Sequence, residues 1–237
     1  MRTTLAAATA VLVLAGSGRA QMQDDQNRRP PVAYVGAGVE VASSVGEFAD
    51  YVDNAFGLGV HVAYRPNDGP LAFRAGFMFA QYGSTTARYN LVGLVSVDVT
   101  TRNQIYGLMV GPEINVGRDA VQLYGHGGVG FSYFVTRSSV EGTDQNNSPF
   151  ASTTNYDDIT FAAEGGGGVR VRLSRTPVFL DLGVRYLFNG QVSYVTQNTI
   201  NLTTTPPSVS AITSEANAVL FRLGVLIGLR GKASPSR

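Results

Sequence analysis

The chain has no cysteine, no tryptophan and only two histidines, and after its first twenty residues it has no apolar run long enough to cross a membrane as a helix. Lack of cysteine excludes disulfides, thiol nucleophiles, zinc–thiolate sites and a lipid-anchored cysteine. The two histidines, His61 and His126, have no evident third ligand, so no metal site is expected. Neither Gly-x-Ser-x-Gly nor His-Glu-x-x-His occurs, so no catalytic residues and no cofactor are assigned and the chain is not read as an enzyme. A spanning helix needs about 20 apolar residues. Beyond the amino terminus, Gly, Arg, Asp or Glu interrupts each apolar stretch.

The first twenty residues have a basic start at Arg2, an apolar run from Leu5 to Ala15 and a small-residue end at Gly18-Arg19-Ala20. That order predicts a cleaved secretory signal peptide over 1–20. Losing Arg2 and Arg19 takes the basic count from 18 to 16, against 17 acidic residues. Such balance gives no electrostatic reason to expect nucleic acid as a partner. The expected organisation is a short periplasmic segment over 21–30, one domain over 31–230 and a tail over 231–237.

What the chain does have is strict two-residue periodicity. Phe56, Leu58, Val60, Val62 and Tyr64 share one face of a strand, and Gly57, Gly59, His61, Ala63 and Arg65 share the other. The split recurs in eight stretches: Pro31–Ser44, Phe56–Arg65, Leu71–Tyr82, Asn103–Asn115, Val121–Thr136, Ile159–Leu173, Val178–Asn189 and Asn217–Arg230. One alternating set carries no Asp, Glu, Lys, Arg or His. The other carries Glu40, Arg65, Arg74, Glu113, Glu164, Arg170, Arg172, Asp181, Arg185, Arg222 and Arg230. A soluble ligand-binding barrel would show charge to water and line its cup with apolar groups. Arg or Lys facing the bilayer midplane costs about 2–4 kcal/mol, so the charge-free set is the one built for lipid.

Connections alternate in length. Pro66–Pro70, Val116–Ala120 and Ser174–Pro177 are tight and rich in turn residues, whereas 45–55, 83–102, 137–158 and 190–216 are long and polar. Hydrocarbon offers no partner to an open sheet edge, so eight such strands predict an all-β fold, a closed antiparallel up-and-down transmembrane barrel. Outward aromatics near strand ends, among them Phe56, Tyr64, Phe73, Tyr106, Phe131 and Tyr186, fit interfacial girdles.

On these residues the chain resembles the small eight-stranded outer-membrane barrels, the family of the OmpA transmembrane domain and OmpX. The resemblance covers nearly all of the mature chain and is specific for architecture. It implies the bacterial outer membrane as location, outer-membrane lipid and the barrel assembly machinery as partners, a monomer, and extracellular long loops open to a ligand. Members commonly end on an aromatic residue that the assembly machinery recognises. Here the last outward residue is Leu229, followed by Arg230 and then Gly-Lys-Ala-Ser-Pro-Ser-Arg.

Gly125-His-Gly-Gly-Val-Gly130 matches a dinucleotide-binding glycine pattern, but Phe131-Ser-Tyr-Phe-Val continues as a strand where that motif needs a helix. The inward charges are therefore the candidate site: Glu40, Arg74, Glu113, Glu164, Arg170, Arg172, Asp181, Arg185 and Arg222. An eight-stranded barrel is just wide enough for side chains to fill it. The principal reading is an ion-paired plug beneath surface-active loops. The alternatives are a narrow anion-favouring conduit or solute site, and a lipid-modifying enzyme. With Arg175 and Thr176 at the centre of the shortest turn, Arg170 faces Asp181, Gly166 faces Arg185, and Glu164 lies diagonal to Arg185. Arg170–Asp181 and Arg185–Glu164 are the expected ion pairs.

Overall fold

The computed structural model describes residues 31–52, 54–67, 69–91, 95–117, 120–142, 149–173, 177–194, 200–201, 208–209 and 212–229. The expected signal peptide, the segment 21–30, the tail 231–237 and Arg230 lie outside the described residues.

Twelve strands occur among the described residues. Eight are long: β1 (Ala33–Ser44), β2 (Asn54–Tyr64), β3 (Leu71–Leu91), β4 (Val95–Val116), β5 (Val121–Gly142), β6 (Pro149–Arg172), β7 (Val178–Asn189) and β12 (Ala218–Leu229). They form one closed barrel in which each strand pairs with its chain neighbour and β12 returns to β1. All eight pairings are antiparallel. Closure removes the free edges that hydrocarbon could not satisfy. The short strands β8 (Gln191–Tyr194), β9 (Ile200–Asn201), β10 (Ser208–Val209) and β11 (Ile212–Glu215) make two small hairpin pairings between β7 and β12.

The alternation sorts as its chemistry requires. Val60, Phe77, Leu182 and Leu223 are 41–50% exposed on the outer wall, while Met78 and Leu226 on the opposite parity are 3% and 0% exposed. Outer aromatics form a row across β3, β4 and β5, with ring centroids of Phe79 and Tyr106 5.2 Å apart and those of Tyr106 and Tyr133 6.3 Å apart. The glycine-rich Gly125–Gly130 stretch runs uninterrupted through β5, as a strand. At the β4–β5 turn, Gly117 has φ of 98°, a conformation that side chains with a Cβ resist.

The principal departure from the sequence reading is the length of β3 to β6, which run 21–24 residues against 11–12 for β1, β2, β7 and β12. About 9–11 residues span a bilayer. Much of 83–102 and 137–158 is thus strand projecting about 30 Å beyond the span, at about 3.3 Å per residue. Their alternation is weaker than in the span, confined to short stretches such as Val95, Val97 and Val99 of β4, which pair in register with Leu91, Tyr89 and Ala87 of β3. Paired hydroxyls add to this: Thr86–Thr100 at 3.0 Å and Thr101–Ser138 at 2.7 Å. A bulge between Gln81 and Gly83 marks where β3 leaves its barrel register.

Arginine at Val60, Phe77, Leu182 or Leu223 is expected to destabilise the membrane-inserted barrel by about 2–4 kcal/mol. Met78→Gln, beside the Arg185 guanidinium on the inner wall, is expected to fold with near wild-type yield. Folding yields in lipid vesicles check this, and equal losses for both groups would reverse the assignment of faces.

Candidate functional site

Inward side chains fill the barrel in layers. At the tight-turn end, Tyr34, Ala63, Ala72, Phe179 and Leu226 form a wholly buried apolar cluster. The inner wall is therefore not uniformly polar. Above this floor lies a layer centred on Glu113 of β4. Its carboxylate accepts from Arg74 Nη1 at 2.8 Å and, as a two-pronged contact, from Arg170 Nη1 and Nη2 at 2.8 and 2.9 Å. Arg170 Nη1 also donates to Asn115 Oδ1 at 2.6 Å. One carboxylate of β4 thus holds two guanidiniums, one from neighbouring β3 and one from β6, with the planar fork geometry that favours arginine over lysine.

Aromatic faces take up the rest of this charge. The Arg170 guanidinium lies 4.1 Å from the Tyr124 ring centroid and 5.3 Å from that of Tyr34; Arg74 caps Tyr124 at 5.9 Å and Arg65 caps Tyr34 at 5.6 Å. Arg65, Tyr34, Arg170, Tyr124 and Arg74 make a continuous cation–π ladder inside the barrel. Arg172 joins its foot, 5.2 Å from the Phe179 centroid. Away from water each such contact is worth about 2 kcal/mol.

The next layer is organised by Glu40 of β1. Arg222 reaches it through Nε at 2.9 Å and Nη2 at 2.8 Å, and Arg185 Nη2 donates to its other oxygen at 2.8 Å. Arg185 Nη1 also approaches Glu164 at 3.4 Å, and His126 Nε2 lies 3.6 Å from the same carboxylate. His61 Nδ1 meets Arg222 Nη1 at 2.7 Å; because guanidinium only donates, that ring nitrogen is the acceptor and the imidazole is neutral. Glu40 and Arg222 face each other directly across β1 and β12. Space for their contact comes from Gly59, where an added Cβ would fall 2.3 Å from Arg222 Nη2 and 2.4 Å from Glu40 Oε1.

The register derived from the shortest turn is the observed one: Arg170 faces Asp181 and Gly166 faces Arg185. The Arg185–Glu164 diagonal also forms. The expected Arg170–Asp181 contact does not. Arg170 extends over β5 to Glu113 of β4 instead, because there it gains three hydrogen bonds and a stacked aromatic ring that a direct cross-strand contact would forgo. Asp181 is left buried beside the Tyr124 hydroxyl, with no arginine among the described residues in ion-pair contact.

Toward the long loops the lumen ends in an aromatic cap. A 3-10 turn, Gly46–Asp50, turns Phe48 into the mouth, where its ring meets Tyr194 at 5.2 Å, Tyr82 at 5.8 Å and Phe134 at 6.4 Å. Nothing in the acidic stretch around Phe48 signals this role in the sequence. Tyr34 and Tyr124 do carry a signal, since both have inward parity on strands that face arginines. Between cap and floor, the space enclosed by Glu40, Arg74, Tyr124, His126, Arg185 and Arg222 amounts to about 10 Å³, room for one water. Among the described residues no group of three or more His, Cys, Asp or Glu is placed to hold a metal ion.

A closed eight-stranded barrel with a charge-free outer wall and a packed ionic interior defines an integral outer-membrane β-barrel protein. Residues 7–205 match the family model described as outer membrane protein beta-barrel domain, and the chain belongs to that family. Comparison with curated protein sequences finds no match. Among solved structures, the chain is similar to Neisserial surface protein A at 17% identity, covering 83% of this chain and 97% of that one with a TM-score of 0.43. A major outer membrane protein of Thermus thermophilus aligns at 13% identity over 82% of this chain and 98% of that one, TM-score 0.45. The β-barrel domain of Pseudomonas aeruginosa OprF aligns at 11% identity over 84% and 98%, TM-score 0.35.

Replacing Glu113 by Gln leaves Arg74 and Arg170 facing each other without a counter-charge and is expected to destabilise the barrel by about 3–5 kcal/mol. The triple replacement Arg74→Met, Glu113→Leu, Arg170→Met removes all three charges together and is expected to lose less. Urea unfolding in vesicles reads the difference, and the reverse order would show that the layer does not act as a unit.

Proposed function

We propose that the protein is a non-conducting outer-membrane anchor that holds a protruding β-sheet and its loops at the cell surface for interaction with a partner, and that it performs no chemistry of its own. The observation that carries this reading is the layered packing of the lumen, in which two ionic layers lie between an aromatic cap and an apolar floor and the space enclosed by Glu40, Arg74, Tyr124, His126, Arg185 and Arg222 is about 10 Å³. A conduit needs a file of waters along its length, and arginines paired to buried carboxylates between an aromatic cap and an apolar floor oppose one. In planar bilayers the wild-type protein is expected to give no steady current. Phe48→Ala is expected to stay closed, because two ionic layers lie beneath the cap. A steady anion-selective current from the wild type would overturn the plug and favour the conduit.

The surface role rests on the projecting ends of β3 to β6. Beyond Gln81, β3 continues to pair with β4 as far as Leu91, so the sheet carries its connecting loops well clear of the barrel. Segments 45–55, 83–102, 137–158 and 190–216 hold nine acidic residues, Glu47, Asp50, Asp53, Asp98, Glu141, Asp144, Asp157, Asp158 and Glu215, against Arg88, Arg102 and Arg137. That imbalance favours a cationic partner over a sulfated or phosphorylated one.

In this reading the long connections face the exterior and the tight turns the periplasm, as in outer-membrane barrels generally. The absence of native cysteine makes the orientation simple to read. On intact cells a membrane-impermeant maleimide is expected to label Gln145→Cys and to spare Arg118→Cys; the opposite pattern would invert the topology.

A further inference from the structure

The outer wall carries a concavity near the tight-turn end. On β2, β3 and β4 the neighbouring residues Val62, Ala75 and Val110 form one cross-strand row, and Tyr64, Phe73 and Pro112 form the next. Ala75 stands between Phe73 and Phe77 along β3, so the smallest side chain of the row is bordered by large rings. The result is an open groove of about 470 Å³ lined chiefly by Val62, Tyr64, Phe73, Ala75, Val110 and Pro112, together with Arg74 and Gly111, within the range of small-ligand pockets. Its position follows from the strand ends: β2 ends at Tyr64 and β3 starts at Leu71.

We propose that this groove is a binding site for one acyl chain of a phospholipid, which stays with the protein longer than the surrounding lipid. The chemistry leaves few occupants. The lining is apolar but for Tyr64 and for Arg74, whose guanidinium is turned inward to Glu113, and a largely apolar hollow facing a bilayer is filled by hydrocarbon. A second barrel fits poorly, since a convex wall touches another tangentially, and a specific protein interface needs about 800 Å² from each partner. A flexible chain can follow the hollow from Ala75 past Phe73 to the interfacial ring of Tyr64, where its head group reaches water. Assignment to the periplasmic leaflet, and hence to phospholipid, rests on the orientation proposed above; the groove itself does not depend on it.

Native mass spectrometry of the full-length protein, released from outer membranes into a mild detergent, tests the proposal. The folded protein is expected to carry a single lipid adduct that fragments as a phospholipid. Ala75→Phe fills the hollow and is expected to lower the adduct-bearing fraction roughly tenfold, about 1.4 kcal/mol of affinity. Val184→Phe, on the exposed outer face of β7 across the barrel, is expected to leave that fraction unchanged. Heat-modifiable gel migration verifies that both variants fold, and should Ala75→Phe not fold, Val110→Trp fills the same hollow from β4. Absence of an adduct, equal adducts in wild type and Ala75→Phe, or a mass corresponding to a second copy of the chain would each overturn the site. An adduct that is lost in Ala75→Phe but fragments as lipopolysaccharide would keep the groove and refute the orientation.

Discussion

Hydrogen bonding of the backbone in a medium without water is the constraint on which the rest of this molecule depends. Every N–H and C=O within the hydrocarbon layer must find a partner in the protein, so the sheet must close, and β12 pairs with β1 residue by residue from Ala33↔Leu229 to Ser44↔Ala218. Closure with eight strands then fixes the width of the lumen. At that width side chains from opposite walls touch, and the inner face becomes a core rather than a pore.

That core is unusual in being built on charge. Burying an ion is tolerable only where partners replace its hydration, and the lumen supplies them in two ways. Glu113 and Glu40 each gather two arginines through short, partly forked hydrogen bonds, and tyrosine rings cover the guanidinium faces that carboxylates do not reach. Apolar groups close both ends, with Phe48 and Tyr194 in the loop-side cap and Tyr34, Phe179 and Leu226 in the floor. Sealing of the ends keeps water from screening the ion pairs, so the apolar and ionic layers support one another.

Above the membrane the physical problem changes. Water satisfies free backbone groups, and β3 to β6 can continue as an open sheet held by hydroxyl ladders and a polar surface. The hairpin of β8 and β11 docks against this sheet through Asp158, which accepts the Ser193 N–H at 2.9 Å, and through Tyr194, which reaches into the cap. The loop that supplies Phe48 is tied to the same hairpin where the Glu215 N–H donates to Glu47 at 3.3 Å. Loops and lumen are therefore one packed unit at the mouth.

By itself the sequence determined the closed barrel, the sorting of its two faces and the register of β6 with β7. The reason is that a two-residue period against lipid tolerates no misplaced charge, and the shortest turn between Leu173 and Val178 leaves one way to pair Arg170 with its neighbours. Tertiary structure alone decided which charges meet. Cross-strand spacing placed Arg170 opposite Asp181, but a long guanidinium reaches past its nearest neighbour, and the carboxylate of Glu113 with the faces of Tyr124 and Tyr34 holds it better. The same holds for Phe48, whose burial depends on a cap assembled from β3, β5 and β8, and for the projecting strands, whose period is short and interrupted by polar residues. Local pattern governs where one solvent dominates a face; contacts between distant segments govern wherever the partner is another side chain.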